Sequence, residues 1–440
     1  MTDQPRRPVP VPAGRLSRLA RLGSLGAGVA GRMAVDGARQ LGQGQRPAMR
    51  DLLLTPRNVT RVTEQLAQMR GAAMKVGQLI SMDGGDVLPP ELAQIMARLR
   101  ADADFMPPAQ LKTVLEANWP KGWLKAFRRF DVHPIAAASI GQVHRATLKD
   151  GTELAIKVQY PGVARSIDSD VTNVGALIRM SGLLPGGFDL GPYLEQAKRQ
   201  LHDETDYALE GRHLARFATL LEGDDRFQVP RLVPEWTTEN ILAMTYLPGA
   251  EIETVAEAPQ AMRDDVVFRL LDLTLRELFD FGLMQTDPNF ANYRWNAEAG
   301  RIVLLDFGAT LDIAPRTRDL YRRLLRAGLS GDAPEAERVA EEMGLLVPDM
   351  DPAFRARLLA MMETGFAALR RPGPFDFAND PLSRTLAAEG EALARDGFIP
   401  PPVPMDILYL QRKMGGMTLL AARLGARVSV ADLMAPYLDG

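Results

Sequence analysis

Val59, Val62, Leu66, Met69, Ala73, Val76 and Ile80 step by three and four along residues 56–82, which makes one apolar face of a helix. Thr55 offers a cap and Pro56 suits the first helical position. Further helices are expected at residues 89–100 and 108–119. The pattern then shortens to strand-like runs at 127–132, 143–148 and 153–159. Asp150-Gly151 between the last two runs is a hairpin signal. Residues 161–222 return to helical spacing, broken near Leu184-Pro185-Gly186-Gly187. Strands are expected at 231–236 and 241–246, and Leu247-Pro248-Gly249 reads as a hinge between lobes. A long helix over 261–281 ends at Gly282, a suitable C-cap, and short strands follow at 292–295 and 301–305. Beyond Pro315 the pattern predicts helices only, near 316–329, 334–344, 352–370, 380–395 and 405–424. Arg371-Pro372-Gly373-Pro374 cannot continue a helix and reads as a loop. The fold class expected is α+β, with a small β-containing N-lobe, a helical C-lobe and an N-terminal helical extension.

Composition narrows the chemistry. At 440 residues the chain can bury a two-lobed core plus extensions, and its net charge of -3 gives no reason to expect a nucleic-acid partner. With no cysteine there are no disulfides, thiolate metal sites or cysteine nucleophiles. The histidines His133, His144, His202 and His213 are scattered and read as surface or capping residues. No apolar run is long enough for a spanning helix, and no secretory leader is evident. Residues 1–50 carry nine Arg against two acids, with Leu16, Leu19, Leu22 and Leu25 recurring between the arginines. That suits either a basic amphipathic segment on an anionic membrane surface, as a peripheral contact, or a solvated basic arm. The division expected is 1–50 basic segment, 51–126 helical extension, 127–248 N-lobe with a helical insertion, and 249–440 C-lobe. Bacterial cytoplasm, with peripheral contact to the inner membrane, is the expected location. The Arg-rich, acid-poor start leaves a mitochondrial matrix protein as the alternative.

Three segments carry phosphoryl-transfer chemistry. Leu154-Ala155-Ile156-Lys157 lies on a strand, Gln285-Thr286-Asp287-Pro288-Asn289-Phe290-Ala291-Asn292 on a loop, and Asp306-Phe307-Gly308 behind an apolar strand. Such a site needs a lysine for the nucleotide phosphates, oxygen ligands for Mg²⁺ and a carboxylate near the attacking group. Asp287 and Asn292 are five residues apart and Asp306 follows Asp287 by nineteen, which fits a kinase-like catalytic loop and metal tripeptide. Taken alone, Lys157 reads as a snorkelling lysine, Asp287 as a turn residue and Asn292 as a loop cap; their order overturns those readings. Lys157 needs a partner acid, and Glu210, 53 residues on, is the candidate. Ala136-Ala137-Ala138-Ser139-Ile140-Gly141-Gln142 stands where a kinase has its Gly-rich phosphate loop. Its methyl groups restrict backbone approach to phosphate, so Ser139 and Gln142 are expected to offer side-chain donors.

With Lys75-Val76-Gly77-Gln78 and Glu204-Thr205-Asp206 added, these segments resemble the UbiB-type, aarF-domain atypical kinases of ubiquinone biosynthesis. The loop at Asp287 is closer to the mitochondrial branch than to the histidine-rich bacterial form. Gln411-Arg412-Lys413-Met414-Gly415-Gly416 is also similar to the eukaryotic branch. The resemblance implies an atypical kinase fold with the helical extension laid over the nucleotide site. It implies that Lys75, Gln78, Glu204 and Asp206 form a charged cluster beside ATP or ADP, and that Lys75 stabilises charge or blocks the γ-phosphate. Lys157, held by Glu210, would contact the α- and β-phosphates, Asn292 and Asp306 would hold Mg²⁺, and Asp287 would orient the attacking water or hydroxyl. The backbone of Ala136, Ala137, Ala138 and Ser139 would cover the phosphates. The function implied is an ATPase acting on ubiquinone precursors or other isoprenoid lipids, or on ubiquinone-biosynthesis enzymes, at a membrane. A true kinase for a small molecule or protein and a non-catalytic nucleotide-binding scaffold are the alternatives. Asp306-Phe307-Gly308 is not followed by Ala-Pro-Glu, which weakens a peptide-kinase reading.

Overall fold

The computed structural model describes residues 69, 71–73, 75–77, 105–138, 140–181, 189–401 and 403–438. They divide into two compact units. One holds the residues before Arg212 together with Leu232–Tyr246; the other holds Arg212–Arg231 and Leu247–Gly440. The expected helix at 89–100, the basic segment 1–50 and the break at 184–187 lie outside the described residues.

In the first unit an antiparallel sheet runs Phe127–Phe130, Gly141–Leu148, Glu153–Gln159, Ile241–Thr245, and Ala136–Ala137 pairs with the second of these strands. The hairpin at Asp150-Gly151 forms as expected, with Gly151 at φ 93°. Alternation along Glu153–Gln159 sends Leu154, Ile156 and Val158 into a core with Leu111, Leu115, Trp119, Phe127 and Trp236. The helix Pro108–Asn118 closes that face, and the Trp119 indole N–H donates to the Trp236 carbonyl at 3.1 Å. Lys157, between Ile156 and Val158, therefore leaves the sheet on the other face. The helices Val163–Ser181 and Gly191–Thr205 follow, and then the start of Tyr207–Leu220, whose residues from Arg212 onward belong to the second unit.

The second unit is mostly helical, with Gln260–Arg276 packed against Met405–Leu424 and Val430–Leu438. Its small sheet is ordered Phe227–Gln228, Arg301–Leu304, Tyr293–Asn296, Ala250–Glu251. A separate two-strand ladder joins Leu283–Gln285 to Thr310–Asp312.

Several expectations are corrected. The helix expected to run unbroken through Glu204 and Glu210 stops at Asp206, which ends one helix and caps the next by accepting the Leu209 N–H at 2.8 Å. Residues 231–236 are not a strand: Pro234 starts a 3₁₀ turn, Pro234–Trp236, and Leu232 makes a single bridge to Met244. The long helix before Gly282 finishes in a π turn, Glu277–Phe281. Beyond Pro315 the chain is not helical throughout, since Phe375–Asp376 pairs with Arg427–Val428. The helix Val430–Leu438 had no clear signal, because Pro436 sits inside it.

Candidate functional site

In the first unit, Lys157 donates to both oxygens of Glu210 at 2.8 Å. The two side chains are 9% and 2% exposed. Sheet alternation delivers the lysine and the first turn of Tyr207–Leu220 delivers the acid. The Tyr207 ring lies 5.2 Å from the ammonium, and the tyrosine hydroxyl crowds Gly141, where any side chain would strike it and the Val158 carbonyl. Lys75 lies in a helical stretch, is buried and pairs with Glu204. Asp206, expected in the same cluster, is the helix cap described above. Gln78 and Ser139 lie outside the described residues.

The alanine-rich segment is a short strand rather than an open loop. Ala136 and Ala137 pair with Val143 and Gln142, and the Ala138 N–H is donated to the Gly141 carbonyl at 2.8 Å. Gln142 does not serve as a phosphate donor. It is fully buried, accepts the Met106 N–H at 2.7 Å and meets His144 Nε2 at 2.8 Å. His144 Nδ1 sits 2.8 Å from the Asp131 carbonyl, so that nitrogen carries the proton and Nε2 accepts from Gln142. Burial, against the weaker pull of Asp131, lowers His144 to about 4.

In the second unit the strand registers bring the loop and the tripeptide together. Leu304 faces Tyr293 and the Leu305 N–H reaches the Asn292 carbonyl at 2.8 Å, so Asp306 begins where Asn292 ends. On the other side Thr310 faces Gln285, and Thr286 donates twice to the Ala309 carbonyl. Asn289 caps the short turn Phe290–Asn292 through the Ala291 N–H. Asn292 donates its amide to both the carbonyl and Oδ2 of Asp287, each at 3.3 Å. Asp287 Oδ1 is held at 2.7 Å by Arg412. Asp306 is, among the described residues, the one non-glycine at positive φ, 60°. Its Oδ1 accepts the Gly308 N–H at 3.1 Å, and buried Phe307 packs on Phe217 with ring centroids 4.9 Å apart. A left-handed aspartate costs roughly 1–2 kcal/mol, the kind of local strain that collects at functional sites.

The donor set suits Mg²⁺. Asp306 offers a carboxylate, and Asn292, whose amide N–H points to Asp287, offers a carbonyl oxygen. Among the described residues no group of three or more His, Asp or Glu could cage an ion. One or two hard oxygens completed by phosphate and water is the usual Mg²⁺ arrangement.

Arg412, Lys413, Tyr293 and Glu277 had no assigned role from sequence. A signal existed: Glu277 and Lys413 each fall on an apolar stripe, after Val266, Leu270 and Leu273 and between Leu410 and Met417. Burial pushes Glu277 up to about 7 despite Lys413. Lys413 is held above its ordinary value, since Glu277 and Tyr293 outweigh the burial that opposes its charge.

The chain matches the model of the ABC1 atypical kinase-like domain over residues 98–340. It is 37% identical over 427 residues to "Atypical kinase COQ8, mitochondrial" of Saccharomyces cerevisiae, covering 96% of this chain and 84% of that protein. It is 37% identical over 433 residues to "Atypical kinase COQ8B, mitochondrial" of Rattus norvegicus, covering 96% and 80%. Among solved structures, the Rv3197–erythromycin complex from Mycobacterium tuberculosis superposes with a TM-score of 0.61 at 23% identity, over 83% of this chain and 92% of that one. The fold is thus the atypical kinase-like one that the motif order implied, and the likeness to the mitochondrial branch agrees with these relatives.

Proposed function

The chain belongs to the ABC1 atypical kinase-like family, whose chemistry is ATP-dependent phosphoryl transfer, and we propose that it binds Mg-ATP and turns it over in support of ubiquinone biosynthesis. Lys157, oriented by Glu210, contacts the α- and β-phosphates. Asn292 and Asp306 hold Mg²⁺, which when bound would neutralise charge building on the phosphate oxygens. Asp287, fixed by Asn292 and Arg412, orients the attacking water or hydroxyl. Lys75, paired with Glu204, stabilises charge or limits access to the γ-phosphate.

The observation that carries this reading is the Lys157–Glu210 pair, bidentate at 2.8 Å and almost wholly buried. A buried ion pair costs several kcal/mol in desolvation and is often no more stabilising than apolar residues of the same size. A phosphate-binding role accounts for it better than stability does. The target is a lipophilic ubiquinone precursor or the biosynthetic complex at a membrane. That part rests on the motif resemblance and on the names of the relatives. Contact with the membrane would be peripheral, through the basic segment 1–50; among the described residues no helix is long and apolar enough to cross one.

A second reading, transfer to a small molecule or a protein, is favoured by the naming of the relatives as kinases. Incubation with ATP labelled at the γ-phosphate separates the two. Free labelled phosphate that rises with liposomes containing anionic and isoprenoid lipids supports hydrolysis. Label on an acceptor supports transfer, and neither product, despite nucleotide binding, contradicts both.

A further inference from the structure

Lys413 follows Arg412 on the Met405–Leu424 helix and is 2% exposed. Its ammonium donates to Tyr293 Oη at 2.7 Å and to Gln285 Oε1 at 3.2 Å, and lies 3.6 Å from Glu277 Oε2. Gln285 is the last residue of the strand entering the 286–292 loop, and Tyr293 is the first residue of the strand leaving it. Glu277 opens the π turn of the preceding helix and takes the Gln285 backbone N–H. Gln285 also donates its side-chain amide to the Asp306 carbonyl at 3.3 Å. One buried ammonium thus touches both ends of the loop that carries Asp287, and through Gln285 it reaches the backbone of Asp306.

One turn on, Gly416 brings the helix backbone against Pro288, the residue after Asp287. A methyl group at 416 would run into the proline ring. Arg412, Lys413 and Gly416 therefore form one helical face beneath the loop. Replacing a buried lysine and glutamate together by apolar residues of similar volume is often neutral or stabilising. What the lysine holds accounts for the pair better than stability does.

We propose that Lys413 is a positioning residue, a clamp on the two ends of the 286–292 loop that sets the orientation of Asp287. This rests on the role given to Asp287 above. The clamp holds the loop that carries both Asp287 and the proposed metal ligand Asn292 and does not touch Lys157 or Glu210, so its loss should slow turnover more than it weakens nucleotide binding.

The test uses the full chain and Mg²⁺-dependent phosphate release from ATP. The double variant Glu277→Leu/Lys413→Met removes both buried charges together, and Tyr293→Phe removes a single hydroxyl and keeps the ring. Asp287→Asn is the reference. The clamp predicts a kcat about 100-fold lower in the double variant, as a misplacement near 1 Å produces, with KM for ATP changed far less than kcat. Tyr293→Phe should show a smaller fall of the same kind. Amide hydrogen exchange should accelerate over 286–292 and stay unchanged over Glu153–Gln159. If Asp287→Asn is inactive while the double variant and Tyr293→Phe keep wild-type kcat and loop protection, the clamp is wrong and the Asp287 assignment stands. If KM rises with kcat intact, the clamp is wrong as well. If Asp287→Asn turns over like wild type, the underlying assignment has failed.

Discussion

The Arg412 guanidinium holds Asp287 Oδ1 at 2.7 Å across 125 residues of chain, while Asn292 holds Oδ2 at 3.3 Å. The carboxylate is thereby fixed by two donors from different elements. Replacing Arg412 by Ala should free it to rotate and lower kcat by about 10- to 100-fold, the range attached to losing the orientation of a catalytic group. Steady-state kinetics of Arg412→Ala check this. A kcat above wild type would instead identify Arg412 as a restraint on the base.

Gly415 and Gly416 are neighbours on one helix with opposite surroundings. Among the described residues nothing approaches a methyl group at 415, whereas one at 416 meets Pro288. Gly415→Ala should stabilise the protein by roughly 1 kcal/mol, the ordinary helical preference. Gly416→Ala should lose that gain to the collision and lower kcat by displacing the loop. Thermal unfolding of the two variants side by side reads the contrast, and equal stabilisation would show that the contact with Pro288 is not tight.

Glu210→Gln keeps the shape of the buried pair and removes its negative charge. Without that charge Lys157 loses the partner that holds it in place for the phosphates, so nucleotide affinity should fall. The unpaired ammonium should also lower thermal stability. Titration with ATP and Mg²⁺ measures the first effect. Unchanged affinity would mean that Lys157 does not depend on Glu210 for its position.

His144 sets a pH signature in the first unit. The folded protein keeps it neutral down to about 4, while an unfolded histidine takes its proton near 6.5. Its contribution is therefore complete above about 6.5 and declines as pH falls, because the unfolded chain binds the proton first. The loss reaches about 3 kcal/mol by pH 4. In His144→Gln, which keeps a donor and an acceptor, this part of the decline should vanish. Urea unfolding at pH 7 and pH 4.5 for both proteins tests it, and identical pH slopes would refute it.

Periodicity and short motifs made much of the molecule readable. The strand read at 153–159 forms and carries Lys157, and the spacing of Asp287, Asn292 and Asp306 anticipated a loop and a turn that the strands draw together. What failed to show in the sequence depends on tertiary contacts. Asp206 reads as a helical acid, yet its backbone ends one helix and its side chain caps the next. Gln142 reads as a free donor, yet it is consumed by Met106 and His144. Arg412 and Lys413 lie more than a hundred residues from the loop they serve, so no local pattern links them to it.

Asp306 is the proposed Mg²⁺ ligand for an ATP-consuming reaction. Asp306→Asn isolates that role, because Asn tolerates the left-handed backbone and can still accept the Gly308 N–H. The measurement is Mg²⁺-dependent phosphate release and nucleotide binding in wild type, Asp306→Asn and Lys157→Ala, with and without anionic liposomes. The account predicts that the wild type releases phosphate, that both variants lose this activity, and that Asp306→Asn unfolds at the wild-type temperature while losing Mg-nucleotide binding. An Asp306→Asn protein that binds Mg-nucleotide and releases phosphate like wild type would contradict it.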